Sequence, residues 1–494
     1  MLPVNSGGHS AYQNFVVAQL RKYYPVPDKI ARSTWDIIDR FWNLDLSYTD
    51  EFSRNKYSVF GPKPRTPSCM QRSIMLSLDF KVTSFTDWAA QLKINPLYAI
   101  LSGFEFGDTP GVGTFYDFVN RLWNSDNDNF LPHEHPLKSK VKKPKAKGTK
   151  ADSIEKVTVA QLLPELENTV FNINDQPYGS LFQLYKTEFL DLSVKKGLIN
   201  PTALALAGDG TPVVTSHRER KHRICECESK GISDCKCDRY FSQPDCDIGW
   251  DSSRDCYYHG YDLYMLVSSD SESDLPVFPH LSCASKHDSH GFLHTFFRMK
   301  SFLPEFKVTK LLLDSAHDAM PYYEYCRRVK ITPFIDLNGK GGIKLPYKND
   351  FTIGNDGVPV CREGLRMHHD GIEPTKYRIK FRCPLANRKT GCSCKNPCSE
   401  SKYGRTVHLA MKDNPRLFNI PPRDSDEWKT EFNARTSAER SNKREKLDFL
   451  LENGRHRSTK MWYCRLYHIL MLQHLDAWDL PYESALRKLI LQTA

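Results

Sequence analysis

Ala203-Leu204-Ala205-Leu206-Ala207-Gly208-Asp209-Gly210-Thr211 decides the fold. Its apolar run stops at Gly-Asp-Gly, which predicts a buried strand delivering one carboxylate, Asp209, to the edge of a sheet. Glycine on either side lets the backbone turn and approach a neighbour closely. Lys310-Leu311-Leu312-Leu313-Asp314-Ser315-Ala316-His317-Asp318 repeats the design, and its Ser suits a helix start. Two such strands side by side bring Asp209 and Asp314 together. A third acid lies on another kind of element. Residues 432–446 are rich in helix formers and free of Gly and Pro. Within them Phe432, Arg435, Glu439 and Lys446 are spaced to share one helical face.

Asp, Asp and Glu on strand, strand and helix, with Arg435, Glu439 and Lys446 so spaced, resemble the YREK signature of bacterial insertion-sequence DDE transposases. Phe432 stands where the signature has tyrosine, keeping the ring and losing the hydroxyl. The resemblance extends over about residues 200–478. It takes in Gly208-Asp209-Gly210, Asp314-Ser315 with Asp318, Arg382-Cys383-Pro384 and Ser401-Lys402-Tyr403-Gly404-Arg405.

The resemblance implies an α/β fold: a ribonuclease H-like mixed-sheet catalytic core at 157–494, with a β-rich insertion at about 337–423. An all-α N-terminal domain at 1–131 would bind DNA ends. Asp209 would bridge two Mg²⁺ (or Mn²⁺) ions, with Asp314 on one and Glu439 on the other. The activity implied is cleavage at transposon ends followed by attack of the freed 3′-hydroxyl on target DNA. Terminal inverted repeats and target DNA are then the partners, and a homodimer or higher oligomer brackets two ends.

Side-chain chemistry adds to this. Arg offers phosphate a planar fork and Lys a point charge, so Arg435 and Lys446, with Arg440 beside them, are assigned to gripping DNA. From charge pattern alone, the same helix reads as an exposed one laced with i,i+4 pairs. Two rivals stand beside the transposase reading: a catalytically inactive, transposase-derived DNA-binding protein, and a ribonuclease H-like nuclease that does not join strands.

Composition bounds the rest. A net charge of +10 favours a polyanionic partner, nucleic acid before an anionic membrane. An apolar fraction of 40 % with abundant Tyr and Phe excludes a disordered chain. No uncharged apolar run reaches about 18 residues, so no membrane span is expected. Residues 461–478 are interrupted by Arg465, His468, Gln473 and His474 and read as a core helix. Residues 1–10 lack a signal-peptide layout. The expectation is a cytoplasmic protein, nucleoid-associated when bound to DNA, with its 15 Cys as reduced thiols or metal ligands.

In chain order, residues 12–123 read as short helices that could form a helix-turn-helix DNA reader or a supporting bundle. Residues 132–156 read as a flexible basic linker, since 138–150 carry seven lysines. Strands are expected at 260–268, 275–282 and 331–336, and in the insertion at 376–381 and 406–411. A Cys-rich insertion spans about 217–257. Its Cys225, Cys227, Cys235, Cys237, Cys246 and Cys256 could hold structural Zn²⁺, and Cys383, Cys392, Cys394 and Cys398 offer a second set. Asp318 reads as a helix-dipole partner or an accessory acid, and Trp428 as a packing residue or a base-stacking one. Gly339-Lys340-Gly341-Gly342 lacks phosphate-loop spacing and reads as a turn. Adjacent His287, Asp288 and Ser289 cannot converge as a catalytic triad.

Overall fold

A computed structural model describes residues 8–26, 30–58, 60–130, 157–215, 222–223, 225–236, 239–240, 243, 245–338, 351–387, 391–479 and 485–491. The basic linker and the Gly339–Gly342 turn lie outside these residues.

The protein is mixed α/β. β1 (Leu204–Val214) occupies the middle of the main sheet, antiparallel to β2 (Cys256–Ser268) and parallel to β4 (Val308–Leu313). β3 (Pro276–Cys283) pairs antiparallel with the outer edge of β2, beside a short strand at Asp247–Asp251. β5 (Thr332–Ile335) closes the other side, parallel to β4.

β1 departs from the sequence expectation in one respect. The strand does not stop at Gly208-Asp209-Gly210 but runs on to Val214. The cause is β2, whose antiparallel register holds β1 from Leu206 through Val214, whereas parallel pairing with β4 ends at Ala207. Asp209 therefore lies inside a central strand, just beyond the point where its parallel neighbour stops. The glycines serve close approach: a Cβ on Gly208 would come within 2.8 Å of the Tyr264 hydroxyl, and one on Gly210 within 2.9 Å of an Asp288 oxygen.

Helices cover both faces. Asp288–Phe302 packs on the face to which Gly210 points, and Thr436–Lys443 lies over the opposite one, where alternation along the strand puts Asp209. Behind them runs Thr459–Ala477, buried at every residue from Thr459 to Leu475. Two of its polar side chains are paired inward. The Tyr463 hydroxyl accepts from the Leu281 amide at 3.2 Å, and His474 Nε2 donates to the Pro276 carbonyl at 2.8 Å.

The N-terminal third is helical from Gly8–Tyr23 to Val112–Leu122. Ser84 caps Phe85–Ile94 by accepting from the Asp87 amide, and Asn95-Pro96 starts the next helix as it ends that one. These helices, the Thr459–Ala477 helix and the sheet share one continuous apolar core. The insertion after β5 has its own core, around Val358, Met367, Ile379, Phe381, Val407 and Leu409. Its sheet joins His368–Glu373, Arg378–Arg382 and Thr406–Ala410. The middle strand starts later than expected because Pro374–Lys376 forms a helical turn and Tyr377 adopts positive φ.

Candidate active site

Asp209, Asp314 and Glu439 are brought to one end of the sheet by the elements that the sequence assigns to them. Asp314 directly follows β4 and starts the turn Ser315–His317. Its Oδ1 accepts from the Ala316 amide at 3.1 Å and from His317 Nδ1 at 2.6 Å. His317 is buried, and its Nε2 lies 2.9 Å from the Tyr264 hydroxyl of β2. The chain of contacts Tyr264–His317–Asp314 thus runs from the sheet interior to the site.

Asp209 Oδ2 accepts from Asn442 Nδ2 at 3.2 Å. Burial, then the negative charge of Asp314, push its pKa up to about 7; Glu439 and Asp288 add to the rise, and Arg435 opposes it. For Asp314 burial also favours the neutral form, but the hydrogen bond and charge of His317, the Ala316 amide and Arg435 outweigh it and hold the carboxyl below its usual range.

Glu439 is half exposed and accepts from Arg435 at 2.6 Å, one helical turn away. Among the described residues, the only three His, Cys, Asp or Glu side chains with ligand atoms all within 4.8 Å of one another are Cys225, Cys227 and Cys235. The three acids are therefore neighbours in charge without being gathered to that closeness, and Arg435 occupies Glu439. Their all-oxygen donor set and the repulsion that raises Asp209 fit a hard divalent cation, whose charge would relieve that repulsion.

The expected single helix over 432–446 is divided. Asp426–Asn433 ends at Ala434-Arg435, Thr436–Lys443 follows, and Arg444–Asp448 forms a wider π turn. A π turn carries an extra residue, so Lys446 is rotated off the face that straight 3.6-residue spacing assigns to it. It lies instead 3.5 Å from Glu452, 16 % exposed. Arg440 pairs with Asp274 through two contacts of 2.6 Å, and remains 54 % exposed. Arg435 keeps its place beside the acids, over the ring of Phe432.

Asp318 is held by Arg416 Nε at 2.6 Å, the Asn338 amide at 2.6 Å and the Tyr323 hydroxyl at 3.0 Å. Its carboxylate fastens the insertion to the core. Trp428 is buried and stacked on Phe432 at 4.8 Å, a packing role. His287 caps the Asp288–Phe302 helix by accepting from the Ser289 amide. Cys383, Cys394 and Cys398 do not form a close trio, and the side chain of Cys392 lies outside the described residues.

Sequence reasoning missed a pair of acids beneath the site. Asp262 of β2 and Asp288 both lie against Gly210, their oxygens 3.4 and 2.9 Å from where its Cβ would be. Asp262 is buried, and its Oδ2 has no hydrogen-bond partner. Burial holds both carboxyls above their usual range; the charges of Asp288 and Asp209 add to the rise of Asp262 and Lys446 opposes it, while for Asp288 the charge of Asp314 adds and His317 and His287 oppose. His317 was legible as a partner, since Asp-Ser-Ala-His places it one tight turn after Asp314. Nothing local marks Asp262.

No family model matches this chain, and no curated protein does.

Proposed function

We propose that this protein is a DNA transposase of the DDE class, built on a ribonuclease H-like core, which cleaves DNA at the ends of a mobile element and joins them to target DNA. One observation carries the reading. Asp209 sits on the central strand just past the end of its parallel pairing, Asp314 directly follows that parallel neighbour, and Glu439 is on a helix laid over β1 and β2, near enough for its charge to act on Asp209. In the six-stranded sheet β3 and the Asp247–Asp251 strand both pair with β2, followed by β1, β4 and β5; the pairings made by β2 are antiparallel and the other two parallel, which supports the core assignment.

Asp209, Asp314 and Glu439 are the residues that would hold Mg²⁺ or Mn²⁺, which would supply activation of the attacking oxygen and charge relief for the leaving one. The protein's own groups set the conditions. His317 keeps Asp314 ionised and Asn442 orients Asp209. Arg435, within reach of the acids and paired with Glu439, has a fork that could turn to a DNA phosphate. Arg440 can exchange Asp274 for a phosphate because it is half exposed; Lys446, enclosed beside Glu452, positions rather than grips. The N-terminal helices then bind element ends, and the active form is an oligomer bracketing two of them.

The test incubates purified protein with labelled DNA carrying the sequences that flank its gene, with Mg²⁺, beside Asp209→Ala and Glu439→Ala. Wild type should nick at the ends and transfer strands, while both variants bind and do neither. Cutting without joining would replace the proposal with a nuclease. Binding without cutting in either Mg²⁺ or Mn²⁺ would leave only a DNA-binding role.

A further inference from the structure

The loop at residues 225–236, in the insertion between β1 and β2, has almost nothing apolar to fold around. Two short strands, His222–Arg223 and Arg239–Tyr240, pair antiparallel and bring the ends of a loop together. Within residues 225–236 every residue is exposed except Cys225, Cys227 and Cys235. Its one aliphatic side chain beyond the thiols, Ile232, points to solvent at 50 % exposure. A loop of that composition cannot offset the entropy of ordering by burying hydrocarbon.

Its backbone is nonetheless specific. The Lys230 amide donates to the Glu226 carbonyl at 3.1 Å, making one helical turn, and the Ile232 amide reaches back to the Cys227 carbonyl at 2.8 Å. Gly231, at a φ of +74°, ends the turn in the left-handed region and reverses the chain. That reversal returns Cys235 to the other two thiols, and all three sulfurs lie within 4.8 Å of one another. Cys225 Sγ and Cys235 Sγ are 3.4 Å apart, far beyond a disulfide bond of about 2.05 Å. Two sulfurs each ~2.3 Å from one tetrahedral zinc ion lie ~3.8 Å apart, so for this pair a shift of a few tenths of an ångström suffices.

We propose that Cys225, Cys227 and Cys235 bind Zn²⁺, and that this ion takes the place of a hydrophobic core for the loop at residues 225–236. Soft thiolates select zinc over the hard cations that suit the carboxylate site, so the two metals do not compete. Binding deprotonates the three thiols, releasing one proton from each to solvent, and forms three Zn–S bonds. Three thiolates leave one position of the tetrahedron for water or a fourth ligand. The proposal is independent of transposase activity, and a failure of either leaves the other standing.

The test measures zinc per chain in the full-length protein purified under reducing conditions, for wild type, Cys227→Ser/Cys235→Ser and Cys394→Ser/Cys398→Ser. The expected result is one zinc fewer per chain in the first variant and no loss in the second. Replacement by Co²⁺ should give wild type a thiolate-to-cobalt charge-transfer band that the first variant lacks. Tryptic cleavage at Lys230 and Lys236 should accelerate at least tenfold in that variant. Because the variant could fold poorly, wild type is also titrated with an organomercurial, which should release this zinc as three thiols react. Unchanged zinc content in the first variant, wild type devoid of zinc, or a Cys225–Cys235 disulfide in its place would each overturn the proposal.

Discussion

β1 and β4 deliver their acids from one sequence design, an apolar run followed by Asp, and the two carboxyls meet opposite conditions. Asp209, in mid-strand with acids around it and one amide donor from Asn442, holds its proton up to about 7. Asp314, one residue past its strand, accepts from a backbone amide and a buried histidine and stays ionised. The same local pattern thus gives a carboxyl that keeps its proton to higher pH and one already charged. Protonation is set by what the fold places opposite each acid, not by the strand that carries it.

Removing the acids tests whether both ends belong to one site. Asp209→Ala and Asp314→Ala should each lower DNA cleavage by about three orders of magnitude, ~4 kcal/mol of barrier at 1.36 kcal/mol per decade. A large loss from only one of them would dissolve the site.

Stability against pH should differ in sign. Folding raises the Asp209 pKa above the unfolded value of about 3.9, so the folded state binds more protons and loses stability as pH rises from about 4 to about 7. Without metal at pH 8, Asp209→Asn should therefore be more stable than wild type, by on the order of 2 kcal/mol, with the gain fading below pH 4. Asp314 is the reverse: its depressed pKa contributes stability that is present above the unfolded value and lost as pH falls through the folded one. Asp314→Asn should be less stable at pH 8. Calorimetry giving both variants the same sign would remove the comparison. Mg²⁺ should raise the Tm of wild type and not that of Asp209→Asn.

His317→Gln keeps a donor near Asp314 but removes the imidazole and its charge. The acid limb of the cleavage profile should move upward in pH, because the hydrogen bond and charge of His317 hold the Asp314 carboxyl below its usual range. An unmoved limb would mean that the Ala316 amide alone holds Asp314. Tyr264→Phe should have the smallest effect, a loss of about 1 kcal/mol in denaturant unfolding, as for a single buried hydrogen bond.

Much of the arrangement is local enough to read from residues. The strands at β2 to β5, the Ser84 cap and the buried helix around residues 461–478 follow from hydrophobic periodicity and turn chemistry. The wrong detail at β1 has a physical reason. Gly-Asp-Gly signals a strand end by composition, and only the long antiparallel partner β2 carries the strand through it. Lys446 was placed by counting along a straight helix, and a π turn intervenes.

The sequence alone determined which residues are acidic, which segments alternate or repeat at helical period, and where the chain turns, because these depend on neighbours a few residues apart. The tertiary structure alone decided that Arg440 faces Asp274, that Asp262 and Asp288 meet beneath Gly210, and that three cysteines converge in a loop without a core. Each is a juxtaposition created by packing. Coulombic and desolvation energies depend on distances through space, and distances along the chain do not fix them.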